Sequence, residues 1–138
     1  MCLVCHKLLT RCYTNCMISV SDETFEELID DAIKSLPREH MRAVENVAIV
    51  YADDPTPEQR VQLQLRHDQT LFGLYEGVPL ARRGGVTSYA PDKITIFKNP
   101  IEQYATTFEE LREQVRHTLW HEIAHYFGLD HEQIHALE

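Results

Sequence analysis

A chain of 138 residues with 43% hydrophobic and 25% charged residues has the size and composition of one folded domain, which buries roughly two thirds of the surface its unfolded form exposes. The formal charge of -9 at pH 7 argues against nucleic acid as a general partner, because phosphate binding draws on clustered Lys and Arg. Arg82-Arg83, beside Gly84-Gly85, reads as a solvated loop tip. No run of about 18 apolar residues occurs, so no membrane-spanning helix is expected and the chain reads as soluble and cytoplasmic.

All four cysteines, Cys2, Cys5, Cys12 and Cys16, precede Met17. The first 16 residues show neither helical nor strand period, whereas Met17 opens a regular pattern and looks like a natural start. Residues 1–16 are therefore expected to form a disordered extension and residues 17–138 a single domain. The spacing Cys2-x2-Cys5 and Cys12-x3-Cys16, with His6 nearby, offers a thiolate site for a second zinc, although the intervening segment is short for one. A disulfide framework is not indicated.

From Ser21, an N-cap candidate, Phe25, Leu28, Ile29, Ala32, Ile33 and Leu36 recur at steps of three and four, with acidic residues in the first turn. That pattern predicts an amphipathic helix. Pro37 ends it or opens a short helical turn over Arg38 to Val44. Val47 to Tyr51 reads as a buried strand, closed by the turn-forming Asp53-Asp54-Pro55-Thr56-Pro57. Glu58 to Gln69 mixes period-two apolar residues with a helix start after Pro57, and a short helix or irregular segment is preferred. Leu71 to Tyr75 and Lys93 to Phe97 are strand candidates. The connection between them carries Gly84-Gly85 and a further short strand candidate, Val86 to Tyr89.

Thr107, with Glu110 three residues on, forms the capping-box signature of a last long helix, with Phe108, Leu111, Val115, Leu119 and Ile123 as its buried stripe. This helix is expected to run to Phe127 and to end at Gly128, which can take a positive φ. The element order predicts an α+β layer, a small mixed sheet with helices packed on it.

His121 and His125, four apart on that helix, can aim ring nitrogens at one ion. A zinc ion takes four partners and leaves one place for water at a catalytic site. Gly128 reverses the chain and brings His131 back as the third ligand, with Asp130 as the less favoured alternative. Glu122, next to the first ligand, can reach a zinc-bound water without ligating the metal and is the expected general base. His117, one turn back, is read as an ordinary half-buried or surface histidine rather than a further ligand or a hydrogen-bond partner to one. His40, His67 and His135 are read as surface residues, and Trp120 and Tyr126 as packing groups.

The pattern H-E-x-x-H-x-x-G-x-x-H over His121–His131 resembles the signature of the metzincin zinc peptidases, in which three histidines bind catalytic zinc and the glutamate is the base. Metzincins also have a methionine-containing turn downstream of the third ligand. Here the methionines are residues 1, 17 and 41, so the deep specificity pocket of that clan is not expected. A broader resemblance covers nearly all of residues 17–138. The acidic first helix, Leu71-Phe72-Gly73-Leu74-Tyr75-Glu76-Gly77-Val78-Pro79-Leu80, Pro91-Asp92-Lys93-Ile94-Thr95-Ile96-Phe97, and Arg112 to Thr118 leading into the motif are similar to the small bacterial zincin-like metallopeptidase family. That resemblance implies a small mixed sheet with the zinc helix alongside, and a third ligand position that is His or Asp, which favours residue 131.

Zinc-dependent hydrolysis of peptide bonds is thus the expected activity, with one Zn2+ and a peptide or protein substrate. Lys93 to Phe97 or Val86 to Tyr89 is the expected strand beside the cleft, able to pair with an extended peptide. Two alternatives remain. His125–His131 also resembles the second half of the H-x-x-x-H-x-x-x-x-x-H motif of the bacterial ribosomal-RNA maturation endonuclease, a family lacking the glutamate after the first histidine. A non-catalytic zinc-stabilised module is the other.

Overall fold

The structure, a computed structural model, describes residues 17–44, 47–78 and 92–136, together with Gly84. The Cys-bearing segment 1–16 and the strand candidate Val86 to Tyr89 lie outside the described residues.

Helix α1 (Asp22–Ser35) begins where Ser21 accepts the Thr24 N–H at 3.2 Å, and Asp22 and Glu23 sit at the positive end of its dipole. Its buried stripe is Phe25, Leu28, Ile29 and Ala32. Pro37 then caps α2 (Arg38–Ala43), followed by strand β1 (Val47–Ala52). The ambiguous Glu58 to Gln69 region contains a short helix, α3 (Pro57–Gln62), closed at its start by a reciprocal cap between Thr56 and Gln59. The V-x-L-x-L alternation does not make a strand here: Val61 is 78% exposed while Leu63 is buried. The Arg60 guanidinium donates to the carbonyls of Arg66 and Gln69, fastening the loop that follows.

Strand β2 (Gly73–Glu76) starts two residues later than the apolar pattern suggests, and β3 (Asp92–Phe97) follows. A helix unexpected from the sequence, α4 (Lys98–Tyr104), continues directly from β3. Its cap position is Phe97, which offers no polar side chain, so the start signal is missing. Pro100 is tolerated there because first-turn N–H groups have no partner inside the helix. The long helix α5 (Phe108–Tyr126) starts at Thr107, whose hydroxyl accepts the Glu110 N–H at 3.1 Å. The Glu110 carboxylate reaches Thr106 rather than Thr107, accepting from its N–H and hydroxyl. A last short helix, α6 (His131–His135), is likewise unexpected from the sequence.

The sheet order is β1-β3-β2, with β1 parallel and β2 antiparallel to β3. Alternation along the strands puts Val47, Ile49, Tyr51, Ile94, Ile96 and Tyr75 on one face, where they pack with Phe25, Leu28 and Ile29 of α1 and Leu111, Val115, Leu119 and Ile123 of α5. A smaller cluster of Leu63, Leu71, Leu74 and Phe97 covers part of the other face. Phe108 departs from its expected place in the α5 stripe and is 49% exposed. It is the first helical residue, and a helical side chain tilts towards the N-terminus, so here it extends off the helix start. The α+β reading therefore holds, and among the described residues no helix is long and apolar enough to cross a membrane.

β3 lies in the centre of the sheet, paired on both sides, so Lys93 to Phe97 has no open edge for a peptide. Among the described residues the sheet's two edges are β1 and β2, and β2 is the one whose Gly73 lies against Thr118 and Glu122 of α5. The Phe97 N–H donates to the Phe72 carbonyl at 2.8 Å, and bonded and non-bonded pairs alternate along an antiparallel ladder. With Gly73 opposite Ile96 and Tyr75 opposite Ile94, the peptide N–H and C=O groups of Gly73 and Tyr75 point away from β3.

Candidate metal centre and active site

The last turns of α5 run beneath β2, and polar residues are buried there in series. Gln114 donates through Nε2 to Thr118 Oγ1 at 3.1 Å, and His121, Glu122 and His125 complete the buried polar surface. The rings of His121 and His125 are 4.8 Å apart between centroids and nearly perpendicular, as residues one turn apart on one face allow.

His125 Nδ1 lies 3.2 Å from the carbonyl oxygen of Leu129. A carbonyl only accepts, so Nδ1 carries the ring proton and, in the neutral ring, Nε2 keeps the lone pair a metal needs. The turn that brings Leu129 there is built by Gly128, whose φ is 88°. Its N–H donates to the His125 carbonyl at 2.9 Å and the Leu129 N–H to the Ala124 carbonyl at 3.1 Å, the paired bonds of a helix C-terminus closed through a left-handed residue. Gly128→Ala should therefore destabilise the protein by about 1–2 kcal/mol, the cost of a side chain in the left-handed region. Urea unfolding at constant slope measures it, and an unchanged midpoint would show that the turn does not depend on glycine.

Asp130 accepts the Gln133 N–H at 2.8 Å and caps α6, while Gln133 Oε1 accepts the Asp130 N–H at 2.9 Å. Its carboxylate is thus engaged in holding a helix end. His131 is the first residue of α6; its side chain lies outside the described residues. The described side chains bring His121 and His125 together, and among them no set of three or more metal-ligating groups is gathered. His117 is half-buried, its ring 6.2 Å from that of His121 and 6.4 Å from that of Trp120. Tyr126 packs edge-on against Tyr75 at 6.1 Å, as a packing group should. His40 and His67 are exposed. The side chain of His135 lies outside the described residues.

Glu122 is fully buried, and removal from water pushes its carboxyl up from 4.5 to about 8. The Tyr75 backbone amide pulls weakly the other way, short of a proper hydrogen bond: neither carboxylate oxygen has a hydrogen-bond partner among the described residues. The strand above is in direct contact. A Cβ built on Gly73 would lie 3.1 Å from Glu122 Cγ and 3.2 Å from its Oε1. Sequence reasoning missed Gly73 and Tyr75 as site residues. The available signal is a glycine inside an apolar strand, which marks close approach of backbone to something else.

Residues 44–138 match the model of the zincin-like metallopeptidase family. That is more than half of the chain, and the chain belongs to this family, whose membership supports a metallopeptidase-type function. Among solved structures it is similar to a conserved hypothetical protein from Thermo thermophilus, at 17% identity and a TM-score of 0.51, with 86% of this chain and 100% of that chain covered. At such low identity the likeness speaks for the fold alone. No curated protein matches.

Proposed function

We propose that the chain is a zinc-dependent peptidase in which His121, His125 and His131 hold the metal and Glu122 is the general base. The observation that carries this reading is the buried turn of α5 that sets two histidine rings 4.8 Å apart with a carboxyl between them in sequence, all beneath a strand whose backbone groups point outward. The donor set suits zinc. The His125 tautomer is set by the Leu129 carbonyl, the pair is buried, and the engagement of Asp130 in capping leaves His131 the better third donor.

A zinc ion held there supplies a Lewis acid for a peptide carbonyl and lowers the pKa of water from about 15.7 towards 7. The chain's own residues do the rest. The outward N–H and C=O groups of Gly73 bind an extended peptide along the β2 edge and orient its backbone over α5. With the positive charge of a bound metal beside it favouring its ionised form, the Glu122 carboxyl would take a proton from the attacking water and return it to the departing amine, its burial keeping bulk water from competing for that proton. Polypeptide suits the surface better than nucleic acid: the exposed side of α1 carries Asp22, Glu23, Glu26, Glu27, Asp30 and Asp31 against Lys34.

The test is a mixed peptide library incubated with zinc-loaded protein, with and without chelator, and read by mass spectrometry. Cleavage that disappears with chelator is expected. His121→Ala should reduce bound zinc from one per chain to a small residue and abolish cleavage. Full zinc content in that variant would overturn the ligand assignment, and cleavage of single-stranded RNA with no peptide cleaved would overturn the substrate.

A further inference from the structure

Resting on the peptidase reading, we infer that Gly73 is a positioning residue for Glu122, one whose missing side chain fixes where the base's carboxyl sits. Glycine inside a strand is otherwise unfavourable by roughly 0.5–1 kcal/mol relative to alanine. Here the space a side chain would use is already filled. A Cβ on Gly73 would lie 2.7 Å from Thr118 Cγ2, 3.1 Å from Glu122 Cγ and 3.2 Å from Glu122 Oε1.

Neither neighbour yields easily. Thr118 is buried, branched at Cβ, and held by the Gln114 amide at 3.1 Å. Glu122 is fully buried on the same helix, one turn further on. The bare Cα of Gly73 therefore forms one wall of the Glu122 side-chain slot, and the backbone of Tyr75 faces the carboxyl beyond it. Strand and helix approach closely because nothing stands between them, and the carboxyl is laid along the edge where the peptide is proposed to bind. Displacement of a catalytic group by about 1 Å costs on the order of a hundredfold in rate.

The contact with Thr118 and the contact with Glu122 are separable. Thr118→Ser removes Cγ2 and keeps the hydroxyl that Gln114 donates to. The experiment compares wild type, Gly73→Ala and Gly73→Ala/Thr118→Ser for kcat, KM, zinc content and melting temperature, and for the Glu122 carboxyl carbon resonance of the metal-free proteins, identified by its loss in Glu122→Gln. Expected for Gly73→Ala is a roughly 10- to 100-fold fall in kcat with KM within about twofold and zinc retained. The double variant should recover most of the lost melting temperature but not kcat, and the Glu122 resonance should stay displaced in both. If the double variant regains kcat along with stability, or if the resonance is unmoved, Gly73 acts only through packing on Thr118 and the inference falls. Should Gly73→Ala fail to fold, the double variant carries the comparison. Absence of cleavage by wild type would count against the peptidase reading, while the resonance would still decide the placement of Glu122.

Discussion

Glu122→Gln is expected to lower peptide-bond turnover by roughly a hundred- to ten-thousand-fold, the range a positioned general base contributes, while zinc content stays at that of wild type. Glutamine keeps the size of the side chain in its slot against Gly73 and Thr118 and removes its ability to take a proton. Because the carboxyl lies outside the proposed ligand set, the metal should not notice. Single-turnover cleavage of the best library peptide, with metal analysis of the same samples, separates the two quantities. Equal turnover by both proteins would end the assignment of Glu122 as base. Loss of zinc together with activity would make it a ligand or its support instead.

The metal-free protein should lose stability as pH rises from about 4.5 to about 8. Burial holds the Glu122 carboxyl at about 8 in the folded chain against 4.5 ordinarily, so within that window the folded state keeps a proton that the unfolded state releases. The folded state binds more protons, and stability therefore falls with rising pH, levelling off above the folded value. At about 1.4 kcal/mol per unit, the whole window amounts to a few kcal/mol. Urea unfolding of chelator-treated protein at pH 5, 6.5 and 8 should show this fall for wild type and a much flatter profile for Glu122→Gln. Parallel profiles would mean that water reaches the carboxyl.

The pairing of His121 with His125, with Glu122 beside them, is legible in the sequence because these parts are local. His121, Glu122, His125 and Gly128 sit within a few turns of one helix, and helical periodicity alone aligns them. The helix caps at Ser21 and Thr107 and the stop at Gly128 are legible for the same reason, since each depends on one side chain's chemistry and the backbone groups next to it. What escapes the sequence is non-local or lacks a polar signal. α4 begins at an apolar cap residue, so the strand pattern of residues 93–97 gives no hint that a helix follows at once. Phe108 fits the helical stripe by spacing, but its place at the helix start tips it outward. Of the two expected cleft strands, Lys93 to Phe97 or Val86 to Tyr89, the first is strongly β-prone and pairs on both sides in the sheet centre, and the second lies outside the described residues. The weaker segment, interrupted by Gly73, is an edge strand, and its one signal, the glycine, marks a close approach without saying that the approaching element is a helix from the end of the chain. The capping role of Asp130 is hidden as well, because beside a histidine motif Asp130 is weighed as an alternative metal ligand and the Asp-x-x-Gln pattern is not read as a helix start.

The close approach of Gly73 to Glu122 joins segments far apart in the chain, whereas His121 and His125 are neighbours on one helix. The two halves of the site thus differ in the order in which they can assemble. A helix formed early, before the sheet closes, can already present both imidazoles on one side. The carboxyl acquires its dry slot only when β2 packs on α5, so the proposed base depends on long-range packing whereas the proposed ligand pair needs only its own helix.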